Sequence, residues 1–478
     1  MELWLNNIGI IKKTAIRIDG LTVITGKNSS GKTTIGKVLY AVTQANSDIE
    51  NAFDQSKSAY IQTMLRGIWH VLSARRTYPI RPLQAIRDYS QVEQVLFVLS
   101  RSAYSNASMD QLRTWLDIVR QVLPKITMKE YVSFIEKFYP SNDREYLRAL
   151  SDQFDERKNT AIDLCDKAIA TIEDPEAFNS FRCDRTRAFL NFEFHDQIKP
   201  VKANRTIGQI RMYDSDNTIM GIKIRNKSNI EFSEDSSFII PYNRAVFVDN
   251  PFVLDHFEMD DYYFRASSNE FDDQLINVVD MLSHEDHLKK LLRTKATVNF
   301  FENLDFQKNY HEIFEKINQI VPGEFQESND GMFYVESGTK LHVQNLATGS
   351  KLFFIIKLLF MNGYLNKETV LVLDEPESHL HPEWVNKFAE ILVLLIKEIG
   401  IHVVLTTHSP NLMLALDVCA REYRIEAISH FYIADVPLHD WHAIIKCVDG
   451  RINEVYAHLS RPLIEMSIKQ EALEGSKL

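Results

Sequence analysis

The chain has 478 residues with 25% charged and 45% hydrophobic side chains, an ordinary globular composition that excludes wholesale disorder, a fibrous repeat or a membrane-embedded chain. Its 54 Lys and Arg against 65 Asp and Glu give a net charge of -11, which excludes a globally basic nucleic-acid coat but not a local basic groove. At roughly 150 residues per domain, the length admits about three domains or one domain with large insertions.

In chain order, Leu3 to Ile10 and Thr14 to Ile18 read as a hairpin ending at Asp19-Gly20, followed by a buried strand, Leu21-Thr22-Val23-Ile24. A glycine-rich turn then leads to a helix from about Lys32, with Ile35, Val38 and Leu39 at helical spacing. These features define a first segment, residues 1–46. Residues 47–204 read as a helical insertion, with amphipathic stretches Ser58 to Val71, Met109 to Val122 and Arg144 to Ile172 broken at Pro79, Pro82 and Pro140. It is too short and interrupted for a long coiled-coil arm. Residues 205–268 change to a period of two, through Ile222, Ile224 and Phe238-Ile239-Ile240, with a turn at Asp214-Ser215-Asp216-Asn217. A second helical section, 269–321, runs from Asn269 to Ile320. The last segment, 322–478, opens with β-structure from Gly323 to Val343 turned at Asn329-Asp330-Gly331. It then alternates helix and strand through Ser409, and Glu474 to Leu478 read as a frayed tail. The fold class is α/β.

Cys165, Cys183, Cys419 and Cys447 form no CxxC pair, so neither a local zinc site nor a disulfide framework is expected, and a reducing cytoplasm is the simplest compartment. The longest apolar runs, around Leu352 to Leu359 and Ile391 to Ile396, are core-sized and fall short of the ~20 residues that span a bilayer.

Gly26-Lys27-Asn28-Ser29-Ser30-Gly31-Lys32-Thr33 fits GxxxxGK[ST] at every fixed position, between a β-branched strand and an amphipathic helix. The glycines permit backbone angles that aim amides at phosphate oxygens, and the helix N-terminus adds partial positive charge. Lys32 is expected to reach the β- and γ-phosphates and Thr33 to ligate Mg2+, with Thr34 continuing the binding stretch; ATP or GTP is the expected ligand. More than 300 residues later, Thr369-Val370-Leu371-Val372-Leu373-Asp374-Glu375 is an apolar strand ending in two acids. Asp374 is assigned to the Mg2+ shell and Glu375 to polarising the attacking water. Thr406-Thr407-His408-Ser409 ends a further strand, Ile401 to Leu405. The helix Glu383 to Ile399 between them carries Trp384, Phe388, Ile391, Leu392 and Leu395 on one face and stops at Gly400. Such a β-α-β crossover puts both strand ends on one sheet edge, so His408 is expected beside Glu375 and the γ-phosphate. Asn345-Leu346-Ala347-Thr348-Gly349-Ser350-Lys351, before an apolar helix, is either a second anion site or a plain helix cap.

In this order, these four elements resemble the head domain of ABC-type ATPases of the SMC and RecF branch. The DEPExHLHP run from Asp374 to Pro382 is similar to the OLD-like ATPases of prokaryotic defence systems, as are ITGxNxSGKTT at the start and the segment Asn243 to Pro251. The resemblance implies an ABC-type ATPase head, with a mixed-sheet lobe, a parallel-sheet phosphate-loop lobe and helical insertions, that uses ATP and Mg2+. It also implies a head-to-head pair of copies, or a higher homo-oligomer built from such pairs, in which Leu346 to Ser350, with Thr348, Gly349 and Ser350, cap the γ-phosphate held by the other copy. Ala347 stands where the common signature has a serine, so either Thr348 supplies that hydroxyl or hydrolysis is slow. The sequence does not place the lobe-junction glutamine, for which Gln209 is one candidate. OLD nucleases continue into a TOPRIM domain, whereas about 69 residues follow Ser409 here, with Glu422, Glu426, Asp435, Asp440 and Asp449 in no metal-binding arrangement. The chain therefore resembles the ATPase subunits of Septu and PARIS antiphage systems, whose effector nuclease is a separate protein.

Two weaker constellations remain. Arg424 and His430 have a ribonuclease-like spacing, but His430 opens an apparent strand. Residues 182–227 hold ten Lys or Arg against five acids, interleaved with Phe189, Phe192, Phe194 and Tyr213, which is either a surface for DNA or RNA or a solvated face. Three functions compete: an antiphage ATPase sensor and scaffold controlling a separate nuclease, a RecF-like DNA-repair or clamping ATPase, and a self-contained nuclease using the C-terminal acids.

Overall fold

The computed structural model describes residues 1–73, 108–138, 151–200, 206–214, 217–226, 229–233, 236–256, 283–294, 310–328, 331–437 and 442–475, with single positions between 90 and 99 and at 148. Pro79, Pro82, Pro140, Arg144, Asn269, Asp440, the turn residues Ser215, Asp216, Asn329 and Asp330, and the tail from Ser476 lie outside the described residues.

The elements begin with β1 (Glu2–Ile8), β2 (Ile11–Arg17), β3 (Leu21–Gly26) and α1 (Lys32–Asn46). Next come α2 (Ile49–Leu72), α3 (Met109–Val122), α4 (Met128–Phe138), α5 (Phe154–Ile172) and α6 (Ala177–Glu193). Then follow β4 (Gly208–Asp214), β5 (Asn217–Asn226), β6 (Asn229–Phe232), β7 (Arg244–Val248), α7 (His284–Arg293) and α8 (His311–Asn318). The chain continues through β8 (Glu324–Ser328), β9 (Gly331–Glu336), β10 (Thr339–His342), α9 (Thr348–Met361), β11 (Thr369–Asp374) and α10 (Pro382–Leu394). It closes with β12 (His402–Thr407), α11 (Pro410–Glu422), β13 (Ser429–Asp435), β14 (Ala443–Cys447) and α12 (Ile452–Gly475).

The described residues divide into two compact units, Asp48–Cys183 and the remainder. The helical unit packs Ile61, Leu65 and Leu72 of α2 with Leu112, Leu116 and Val119 of α3, Phe134 of α4 and Cys165 and Ile169 of α5. The i, i+4 spacing of these residues puts each set on one helix face. Ser108 starts α3 with a capping box to Gln111.

In the other unit eleven described strands form one sheet, ordered β6-β5-β4-β1-β2-β14-β13-β3-β12-β11-β7. Its β6-to-β2 end is antiparallel, whereas β13, β3, β12, β11 and β7 run parallel. A separate three-stranded sheet, β10-β9-β8, precedes α9. Alternate residues of the central strands feed two cores. Val23, Leu371, Leu373 and Leu405 pack with α9, α10 and α11 on one face, and Ile24, Val370, Val372 and Val404 pack with α1 on the other. Burial on both faces is why β11 and β12 read as continuous apolar runs. No helix among the described residues is long and apolar enough to cross a membrane.

Phe238-Ile239-Ile240 is not a strand. Phe238 has φ +56, its amide donates to Ile219 O at 2.8 Å, and Ile239 is exposed. A left-handed residue with a bulky side chain ends any period of two. The helix reading that began at Ser58 starts earlier, at Ile49. The long helix before Gly400 finishes with a π-helical turn, Leu395–Ile399, and Gly400 closes it at φ +81.

Candidate active site

The parallel strands β3, β12, β11 and β7 all end at one sheet edge, in a register that aligns Ile24 with Thr406 and Thr406 with Asp374. This brings the glycine-rich turn after β3 to the two acids after β11. Gly26 itself is required by packing: it pairs with Ala434 of β13, and a Cβ there would lie 2.2 Å from the Ala434 carbonyl oxygen. Gly31 caps α1 at φ +83, a conformation that side chains rarely adopt.

The Lys32 ammonium is almost wholly buried. It donates to Gly26 O at 3.0 Å and Lys27 O at 2.9 Å and lies 3.3 Å from Glu375 Oε1. The loop thus curls around its own lysine, and the buried Ser30 hydroxyl in the same loop has no hydrogen-bond partner. A buried cation and an orphaned hydroxyl inside a glycine-shaped cradle fit a polyphosphate. Thr33 Oγ1 donates to Asp374 Oδ2 at 2.7 Å, across 341 residues of sequence, and Thr406 Oγ1 donates to Asp374 Oδ1. A hydroxyl facing one carboxylate fits Mg2+, which takes few protein ligands and keeps several waters.

Glu375 follows β11 in a left-handed conformation, φ +48, with its amide donating to Thr406 O at 3.1 Å. Its carboxylate is shared between Lys32 and His408, whose Nδ1 lies 3.3 Å from Glu375 Oε2. Lys32, Asp374, Glu375 and His408 therefore meet as the crossover argument requires. The sequence reading missed Glu377. This buried side chain accepts from Thr407 Oγ1 at 2.5 Å and from the His408 amide at 3.2 Å, and burial raises its pKa.

A second missed group borders the acids from β7. His284, at the start of α7, bonds Asp249 Oδ2 through Nε2 at 3.0 Å and Glu193 Oε2 through Nδ1 at 2.9 Å, and its amide donates to Glu193 Oε1. Burial alone would lower its pKa, but these two carboxylates outweigh burial and raise it to about 9. A cleft of about 370 Å3 opens between Asp249 and Asn250 on one side and Glu375, Ser378 and His379 on the other. With the folded pKa above the unfolded value of about 6.5, the clamp's stability is fully present below that value and lost as pH rises through about 9. Urea midpoints of the wild type should therefore fall between pH 7 and pH 10 more steeply than those of His284→Gln; equal slopes would show that the clamp carries no such stability.

The segment before α9 does not present itself as a uniform anion loop. Thr348 begins the helix and Ser350 is half-buried, but Gly349 is buried, and a Cβ there would meet His379 O at 3.1 Å and the Trp384 ring. Lys351 turns inward to Asp255 and Gln344 O. Gln209 lies on β4, in register with Asn6 and Lys223 and separated from β11 by six strands, so the residues bordering Asp374 and Glu375 from the neighbouring strand are Asp249 and Asn250 instead.

Several cations of 182–227 are already engaged: Arg187 with Asp184, Arg225 with Glu231, Arg211 over the Trp4 ring and Lys199 with Thr206 O. Asp449 is held by His430 Nδ1 and by the Phe431 amide. No group of three or more His, Cys, Asp or Glu gathers in metal-binding geometry among the described residues.

No curated protein matches the chain. Among solved structures it is similar to an SMC head bound to the C-winged helix domain of ScpA, at 11% identity and TM-score 0.39 over 94% of this chain and 97% of that one. It is also similar to the SMC head domain from Thermotoga maritima, at 9% identity and TM-score 0.34 over 94% and 98%. The family model described as an AAA ATPase domain matches residues 1–413, a span that takes in the phosphate loop, the acidic strand and His408. The chain belongs to the AAA ATPase domain family.

Proposed function

We propose that this protein binds Mg-ATP and hydrolyses it to ADP and phosphate, and that it acts as the ATPase sensor and scaffold of an antiphage system. The observation that carries the hydrolysis reading is the convergence of Lys32, Asp374, Glu375 and His408 at one sheet edge. The turn from Gly26 to Thr34 would cradle the phosphates, with Lys32 exchanging its carbonyl partners for phosphate oxygens. Thr33 and Asp374 would hold Mg2+, which when bound supplies charge neutralisation at the β- and γ-phosphates. Glu375 would take the proton of the attacking water, and His408, with Nδ1 committed to Glu375, would offer Nε2 to the γ-phosphate.

The same reading has two copies pair on ATP, each offering Thr348 and Ser350 to the other's nucleotide. With Gly349 buried and Ala347 in place of serine, few hydroxyls remain to make that contact, which favours slow turnover. A protein that holds ATP longer than it hydrolyses it suits a sensor, with its effector a separately encoded nuclease. The RecF-like alternative has less support, because Arg187, Arg225, Arg211 and Lys199 of that stretch already have partners within the chain. Co-expression with the adjacent gene's product tests the scaffold role. The expected result is an ATP-dependent complex and protection against phage. Absence of both, together with hydrolysis stimulated by DNA and weakening with salt, would favour the clamp instead.

A further inference from the structure

Glu377 is three residues beyond Asp374, in the short helical turn Pro376–His379, and its side chain points into the protein rather than towards solvent. Its Oε1 collects two donors from the end of β12, the Thr407 hydroxyl at 2.5 Å and the His408 main-chain amide at 3.2 Å, and lies 3.7 Å from His408 Nδ1. Its Oε2 is buried without a partner. Two carboxyls therefore bracket one imidazole nitrogen: Glu375, half-exposed, reaches it with Oε2 at 3.3 Å and serves Lys32 with Oε1, whereas Glu377 is enclosed and serves nothing but the histidine's strand among the contacts described.

A buried carboxyl oxygen with no donor is costly when charged. Burial accordingly raises the pKa of this group, and in either protonation state Oε1 remains the acceptor for the end of β12. The ordinary reason for a buried acid does not apply, because no lysine or arginine among the described residues is paired with it. What its position accomplishes is to tie the turn carrying the general base to the residue that faces the γ-phosphate.

We propose that Glu377 is a positioning residue for hydrolysis: by holding Thr407 and the His408 amide it fixes the imidazole against Glu375, so that base and histidine are presented to the nucleotide as one unit. The inference rests on the hydrolysis reading above. It makes no use of charge on Glu377, only of an acceptor at the Oε1 position with the reach of a glutamate.

The test compares Glu377→Gln, which keeps that acceptor at full length, with Glu377→Asp, which keeps the carboxylate but withdraws it by one methylene. Steady-state phosphate release and the affinity for a fluorescent ATP analogue are measured on the same full-length preparations. Glu377→Gln should turn over within about 3-fold of wild type, and Glu377→Asp should lose about 10- to 100-fold in kcat, the range for misplacing a catalytic group by about 1 Å. Both should bind the analogue within about 2-fold of wild type. A purely structural residue would instead lower kcat, affinity and melting temperature together in Glu377→Asp. The inference is overturned if Glu377→Asp hydrolyses like wild type, if Glu377→Gln falls as far as Glu377→Asp, or if affinity drops with turnover. A wild-type chain that binds the analogue but releases no phosphate overturns the hydrolysis reading and this inference with it. Wild-type turnover matched by Glu377→Asp overturns this inference alone.

Discussion

Replacing Lys32 with alanine is expected to weaken ATP binding by at least about 100-fold, the scale of losing a charge-assisted contact to phosphate inside a shielded loop. The side chain is buried and sits where the loop carbonyls of Gly26 and Lys27 converge, so its removal leaves those carbonyls and Glu375 without their cation. No neighbour can substitute, because Lys27 is exposed and Lys37 reaches instead to Glu193 O. Titration with a fluorescent ATP analogue checks this; a Kd within about 3-fold of wild type would show that the turn is not the phosphate cradle.

Glu375→Gln should have the opposite signature. Glutamine keeps the size and one acceptor of the carboxylate but cannot take a proton, so affinity should hold while kcat falls by about 100- to 1000-fold, within the range for a general base. The left-handed backbone at Glu375 is retained, because the constraint comes from its amide bond to Thr406. If hydrolysis limits the lifetime of the paired state, this variant with ATP should elute as a dimer by light scattering, while wild type with ADP stays monomeric. Undiminished phosphate release would remove Glu375 from the role of base.

The glycine-rich turn, the acidic strand and the histidine after β12 were legible because each is a local pattern with a local cause. A short apolar run such as Val370 to Leu373 or Val403 to Leu405, buried on both faces, reads as a central strand, and a helix between two such runs brings their ends to one edge. What escaped the sequence depends on partners far away in the chain. Glu193, Asp249 and His284 sit on three elements, and nothing in the spacing of one acid, a second acid 56 positions later and a histidine 35 beyond that signals a clamp. Glu377 lies within a motif that is visible in the sequence, but its inward orientation is set by Thr407 and by the tight turn at Glu375, which periodicity does not encode. Phe238 to Ile240 failed for the converse reason: apolar residues in a row mimic a strand, whereas the backbone there is left-handed.

The placement of β3 also constrains how the protein comes into being. All six of its residues are buried, and its sheet neighbours are β12 and β13, which begin at His402 and Ser429. The strand that carries the phosphate loop thus leaves the ribosome early, but its partners are translated roughly 20 to 75 s later at about 5–20 residues per second. Until then an apolar segment has no ladder to join, and loop closure across nearly the whole chain must precede any reward from pairing. Nucleotide competence should therefore arrive late and all at once, and chains halted before β12 should be clients for chaperones rather than partial enzymes.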